Sequence, residues 1–175
     1  MMTEVLDRVE APANNPGQPT DLSPAAAAID PDALWARLEA WTNRRFAPRT
    51  VTWVIAGPGG WQPDLRPATI DTSEVWRGEG WEPTTLRVGP LGFSLDSGAY
   101  RVTATVGGAS PPPSEFWEAY RRLAEYLADD SDVGVVASSA TRTVGDVSVS
   151  AKRPQAWQAR AIHNSGAGDM LRGFR

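Results

Sequence analysis

The residues best suited to chemistry lie near the C-terminus, where His163, Ser165 and Asp169 bring an imidazole, a hydroxyl and a carboxylate within seven positions. Such groups can serve as base, nucleophile and orienting acid, but only when they point at one another. Crowded onto one helix end they cannot easily do so, and no serine sits in the glycine pattern of a nucleophile elbow. The bland reading, a surface or interface histidine, is favoured. Gly57-Pro58-Gly59-Gly60 and Gly166-Ala167-Gly168 are the only glycine clusters resembling phosphate loops, and neither has the spacing such loops need. Asp129, Asp130 and Asp132, or Glu79 with Glu82, offer paired carboxylates, yet glycosidase chemistry needs two held across a pocket. The first group falls where a helix should end and reads as a solvated loop. The chain has no cysteine, which removes disulfides, thiolate catalysis and cysteine metal sites, and its single histidine excludes a multi-histidine centre. The expectation is a protein that is not an enzyme and carries no cofactor and no metal.

Eight tryptophans are the oddest feature of the composition. Trp35, Trp41 and Trp117 fall on helical apolar stripes and Trp53 on the apolar face of a strand, so these four read as core. Trp61, Trp76, Trp81 and Trp157 have no obvious core slot. They suit a protein interface or stacking on sugars, unless they merely close a β-rich segment over helices.

The elements that position these residues follow from periodicity. The chain has 175 residues, 41% hydrophobic and 22% charged, which supports a packed core. No apolar run approaches the ~18 residues of a membrane span. Residues 1–22 are rich in helix breakers and read as a loose arm, and their start lacks the pattern of a secretory leader, so synthesis in the cytoplasm is expected. Ser23-Pro24 opens a short helical stretch. Asp30-Pro31-Asp32 opens a helix over about 31–45, with Leu34, Leu38 and Trp41 on one stripe and Arg44 and Arg45 complementing its dipole. From Arg49 the period becomes two, with Val51, Trp53 and Ile55 on one face. Gly57-Pro58-Gly59-Gly60 should break that strand. Residues 68–77 and 84–89 are weaker strand candidates. Phe93-Ser94-Leu95 and Tyr100–Val106 read as a hairpin turning at Asp96-Ser97-Gly98.

After Pro111-Pro112-Pro113, Ser114 should cap a second helix striped by Phe116, Tyr120, Leu123 and Leu127, with Glu118 and Arg122 as an i,i+4 pair. Residues 133–150 read as extended and partly hairpin. Pro154 opens a last helix through about His163, Gly166 ends it, and 169–175 form an apolar-basic hook. The expected fold class is α+β: a small helical bundle with a β-rich insertion, about 49–107, between the helices, and an extended C-terminal arm. The expected divisions are 1–22, 23–150 and 151–175.

Charge is unevenly spread. Residues 1–133 carry eleven basic against nineteen acidic groups, a net −8, whereas 134–175 carry six against two, a net +4. A basic footprint for tight DNA binding is absent, but the tail can seek an acidic partner surface.

Several segments together resemble a known family. Leu38-Glu39-Ala40-Trp41-Thr42-Asn43-Arg44-Arg45-Phe46 is similar to the helix end "IEAYTGRxF" of head–tail connector (adaptor) proteins of tailed phages. Gly80-Trp81-Glu82-Pro83 onward to Ala99-Tyr100-Arg101-Val102 resembles the family's β stretch. Pro112-Pro113-Ser114-Glu115 with the helix to Asp129 resembles its "PPxVxxAxxxLAxYL" helix, and Arg142–Ser150 its "ERIGDVSVSY" segment. Asn164–Arg175 is similar to the "SGAxxLLxPYR" ending of adaptors in phage-like gene transfer agents. The five fall in family order over most of residues 30–175. Asn43 stands where glycine is usual and Gly173 where proline is usual, while residues 1–22 match nothing in the family.

The resemblance implies a structural protein of the virion neck. Its subunits would form a homo-oligomeric ring joining the portal protein to the stopper or tail-completion protein, with DNA passing through the lumen without sequence specificity. It would reside at the head–tail interface of the virion, and in host cytoplasm during assembly, with no membrane partner. A ring subunit needs two unlike lateral faces, and an acidic body suits a conduit that must not hold DNA. The segment from Arg153 to Arg175 is expected to dock on the portal through Arg153, Trp157, Arg160, Ile162, Met170, Leu171, Arg172, Phe174 and Arg175. The competing reading has this segment folding back on its own helices. The alternative function, from a different class, is a tryptophan-rich carbohydrate-binding β module using Trp61, Trp76 or Trp81.

Overall fold

Val51, Trp53 and Ile55 are fully buried along one face of a strand, as their alternation with polar residues requires. They belong to a computed structural model that describes residues 3–90, 92–108, 110–129, 139–144, 147–152 and 157–175, with backbone alone for the two stretches between 139 and 152. The chain divides into two units, residues 1–14 with 43–111 and residues 15–42 with 112–175.

The first unit is an antiparallel sheet of six strands: β1 (Glu4–Glu10), β2 (Arg49–Trp61), β3 (Ala68–Trp76), β4 (Trp81–Pro83), β5 (Arg87–Gly89) and β6 (Gly92–Val106). Their spatial order is β1-β2-β6-β3-β4, with β5 pairing the start of β6. One row runs across five strands through Val5, Ile55, Tyr100, Val75 and Glu82. The core face buries Val51, Trp53, Ile55, Val102, Ala104 and Val106, closed by Trp61, Leu65, Val75, Leu95 and Tyr100. Each fully buried Val or Ile contributes about 1.5–3 kcal/mol. Polar groups edge this core. Trp53 Nε1 donates to Asp64 Oδ1 at 2.9 Å, and Glu10 accepts from both Arg45 and Arg49.

The second unit contains α1 (Pro24–Ala27), α2 (Pro31–Thr42), α3 (Ser114–Ala128), the antiparallel hairpin of β7 (Ser139–Val144) and β8 (Val147–Lys152), and two single turns, α4 (Ala161–Asn164) and α5 (Ala167–Met170). Helices α2 and α3 pack through Leu34, Trp35, Leu38, Phe116, Tyr120 and Leu123, all buried. The Trp35 ring stands edge-on to Trp117 at 5.3 Å and tilted against Tyr120 at 5.4 Å. Ser23 caps α1, its Oγ accepting from Ala26 N at 3.2 Å. The Glu125 carboxylate in turn accepts from Ser23 N at 2.7 Å and Ser23 Oγ at 2.8 Å, tying α1 to α3.

The expected fold class is overturned. The dominant element is the six-stranded sheet, with only a few short helices, rather than a helical bundle carrying a β insertion. Four local differences account for the change. Glu4–Glu10, expected in a loose arm, forms edge strand β1 on β2. The Gly57–Gly60 stretch does not end β2: the ladder absorbs the glycines as a bulge between Gly57 and Gly59 and continues to Trp61. A Cβ on Gly57 would run into the Asp96 carbonyl, so that close crossing requires glycine. Likewise Asp96-Ser97-Gly98 is no hairpin turn but the middle of the fifteen-residue β6. Finally, α2 stops at Thr42, because Asn43 adopts a left-handed conformation (φ 54°). Arg44 and Arg45 therefore leave the helix, and Arg45 is buried against Glu10 instead of meeting the helix dipole. The extended C-terminal arm is also corrected: residues 157–175 form short helical turns packed on their own unit.

Candidate docking site

The site is assembled from the C-terminal end of α2 and the chain after Trp157, all within the second unit. Gly166 (φ 75°) ends α4 and reverses the chain, which a β-carbon would resist. That reversal lets Ala161, Ala167 and Leu171 bury completely. The last turn then lays Phe174 against Phe116, ring centroids 5.0 Å apart at 66°. It also places the Arg175 guanidinium 4.4 Å above the Trp41 ring, a contact worth about 0.5–1 kcal/mol where exposed. His163 meets the same indole edge-on at 4.7 Å.

A groove of about 380 Å³ opens beside this cluster, lined by Arg37, Ala40, Trp41, Gln158, Ala159 and Ile162. Arg37 Nη1 donates to Gln158 O at 3.2 Å across it. The floor is apolar and the neighbouring cations are Arg37, Arg160 and Arg175, all exposed. Glu39, two positions from Arg37, is buried, and Asp169 in the C-terminal segment already accepts from Arg172 Nη2 at 2.9 Å. An apolar floor with an arginine rim is the composition of a protein-docking surface, and the guanidinium fork suits carboxylates.

The predicted docking residues separate into three groups. Ile162 lines the groove, Arg175 stands over Trp41 beside it, and the exposed Arg160 follows the lining residue Ala159 in the chain. Leu171 is fully buried, and Phe174 and Met170 are half-buried, so these serve the packing of the segment on its own helices, the competing reading. Trp157 lies against Tyr126 at 5.8 Å, Arg172 pairs with Asp169, and Arg153 lies outside the described residues. Arg37, Ala40 and Trp41 were missed as site residues. Its place on the α2 stripe makes Trp41 a core residue by pattern, but in the last turn of the helix it stays half-buried and lines the groove.

The His163–Ser165–Asp169 set and the tryptophan platform do not assemble, while Asp130 and Asp132 of the carboxylate group lie outside the described residues. Ser165 Oγ donates to Ile162 O and accepts from Ala167 N, while His163 faces Trp41 and Asp169 faces Arg172. Trp61 is buried in the sheet core. Trp76 is 42% exposed and stands at 68° to Trp81, so the two rings offer no shared plane to a sugar chain. Arg101 lies 4.8 Å above Trp81 and pairs with Glu74.

Comparison with protein-family models, with curated proteins and with solved structures returned no match for this chain.

Proposed function

We propose that the protein is a structural subunit of a virion neck, forming a ring that joins a portal to the stopper or tail and surrounds the passing DNA. The observation that carries this reading is the α2–C-terminal groove, an apolar slot flanked by Arg37 and by Arg175 over Trp41. Of the segments that resemble connector proteins, Leu38–Phe46 contributes Ala40 and Trp41 to its lining, and Asn164–Arg175 ends with Arg175 over the Trp41 ring. The groove suits an acidic, apolar-tipped segment of the portal. Ring closure needs two unlike lateral faces, and the sheet has two unlike edges, β1 on one side and β3 to β5 on the other.

The test is to mix the full chain with the portal protein of the same virus or transfer agent, then measure complex size and image it in negative stain. Rings seated on the portal support the reading. A monomer that ignores the portal and binds polysaccharide instead supports the carbohydrate module.

A further inference from the structure

Strand β1 ends the strand order of the sheet, and among the described residues no strand lies on its outer side. It is exposed from Glu4 to Val9, with Val5, Leu6 and Val9 at 45%, 57% and 61%. Isolated exposed apolar residues need no explanation, but three on one seven-residue edge strand do, because an open edge is a template for another strand.

The ladder on the inner side decides which backbone groups face outward. Ala11 N donates to Thr50 O at 2.9 Å, and Val9 and Asp7 stand opposite Thr52 and Val54 in the same register. Hydrogen-bonded and non-hydrogen-bonded pairs alternate along antiparallel strands. Asp7, Val9 and Ala11 therefore turn their N–H and C=O toward β2, while Arg8 and Glu10 turn theirs outward. Arg8 N donates to a local acceptor, Asp7 Oδ1, at 2.8 Å, which a second strand can displace.

We infer that this edge pairs with β1 of a second copy of the chain, antiparallel about a twofold axis through Val9. The register follows by elimination. An axis between two residues would set outward-facing groups against inward-facing ones, so the axis passes through a residue. The shift between Val5 and Asp7 leaves the regular ladder to begin at Asp7. An axis at Asp7, Arg8 or Glu10 places two like charges directly opposite, which destabilises a sheet. An axis at Ala11 opposes Glu10 to Pro12, which has no N–H to give. At Val9 the axis brings two exposed valines together and sets each Arg8 opposite Glu10 of the other copy. These pairs carry the outward groups, so Arg8 N–H meets the Glu10 carbonyl and Glu10 N–H the Arg8 carbonyl, in both directions. Arg45 and Arg49 already hold the Glu10 carboxylate, so the unlike charges select this register more than they add an ion pair. The contact is isologous and closes with two copies, so it cannot propagate a ring. It goes beyond the neck reading and describes the free chain, in which pairing covers one of the two sheet edges. So few residues put it at the low end of specific interfaces, under about 1,200 Å², and the pair is reversible.

The test measures the mass of the full chain by sedimentation velocity over a concentration series. The parent should pass from one chain to two as its concentration rises. Val9→Glu sets two carboxylates on the axis at an exposed position. Its melt should match the parent's, and it should remain a single chain at concentrations where the parent is paired. The chain has no cysteine, so single-cysteine variants read the register independently. Val9→Cys should give a disulfide-linked dimer under mild oxidation, and Asp7→Cys should not, since Asp7 lies opposite Ala11 of the other copy. A parent that is monomeric throughout overturns the pairing, and rings of that parent on the portal would still leave the neck reading standing. A dimer retained by Val9→Glu, or linked through Asp7→Cys as readily as through Val9→Cys, overturns the Val9 axis. A parent dimer with this variant pattern that ignores the portal supports the pairing and counts against the neck reading alone.

Discussion

Phe174, the penultimate residue, stacks edge-on against Phe116 in the first turn of α3 at 5.0 Å. With Leu171 fully buried three residues earlier, the C-terminal turn is part of the second unit's core. Deleting residues 169–175 should therefore lower the melting temperature markedly. Leu171→Ala alone should cost about 2–5 kcal/mol by chemical denaturation. An unchanged melt after the deletion would mean that the tail stands free.

The rim of the α2–C-terminal groove separates docking from folding. Arg160→Glu with Arg175→Glu should weaken portal co-purification by about 2 kcal/mol or more, the scale of an interface hot spot. The melt should stay near the parent's, because both side chains are exposed. Full retention of portal binding by this variant would remove the groove from the docking surface.

Leu38 sits at the centre of the α2–α3 packing with no exposed surface. Leu38→Ala should cost about 2–5 kcal/mol, measured by denaturant unfolding at neutral pH. A loss under about half a kcal/mol would be that of a surface position.

Acid should loosen the second unit first at α3. Hydrogen bonds from Arg121 and then Arg122 lower the Glu118 carboxyl to about 2. Bonds from the Ser23 amide and hydroxyl lower that of Glu125. A carboxyl lowered by folding stabilises the fold fully above its unfolded value of 4.5 and progressively less as the pH falls toward its folded value. Melts between pH 4.5 and about 2 should therefore decline, and Glu118→Gln with Glu125→Gln should flatten that decline while lowering stability at neutral pH. A variant whose acid decline matched the parent's would leave the loss to other carboxylates.

Element positions were legible wherever burial is one-sided. The alternation of Val51, Trp53 and Ile55, the run Tyr100, Val102, Ala104 and Val106, and the α3 stripe each state their buried face directly. The end of α2 was not legible: the expected helix over about 31–45 stops at Thr42, where Asn43 turns left-handed and releases Arg44 and Arg45. What stayed hidden was the sheet's extent. On β1, Glu10 and Arg8 point to the core face, where Arg45, Arg49 and Asp64 satisfy them, so the strand shows no apolar alternation. Glycines in β2 and β6 signalled turns because a bulge and a turn ask the same freedom of the backbone. The groove was half legible: Arg160, Ile162 and Arg175 stood out in a short basic-apolar tail, but nothing local in α2 marks Arg37 and Trp41 as their neighbours.

A conduit should let duplex DNA pass. With its acidic body, the free protein should show no sub-micromolar affinity for duplex DNA at physiological salt. Tight binding with a steep salt slope in a gel-shift titration would point to many phosphate contacts and a DNA-holding role.

The most direct measurement is the size and shape of the full chain alone and with its portal, by light scattering and negative-stain imaging. A neck subunit should yield closed rings with a central channel, alone or templated on the portal, and the ring should span the portal's exit face. A monomer in both samples, with no particle on the portal, would contradict the connector function.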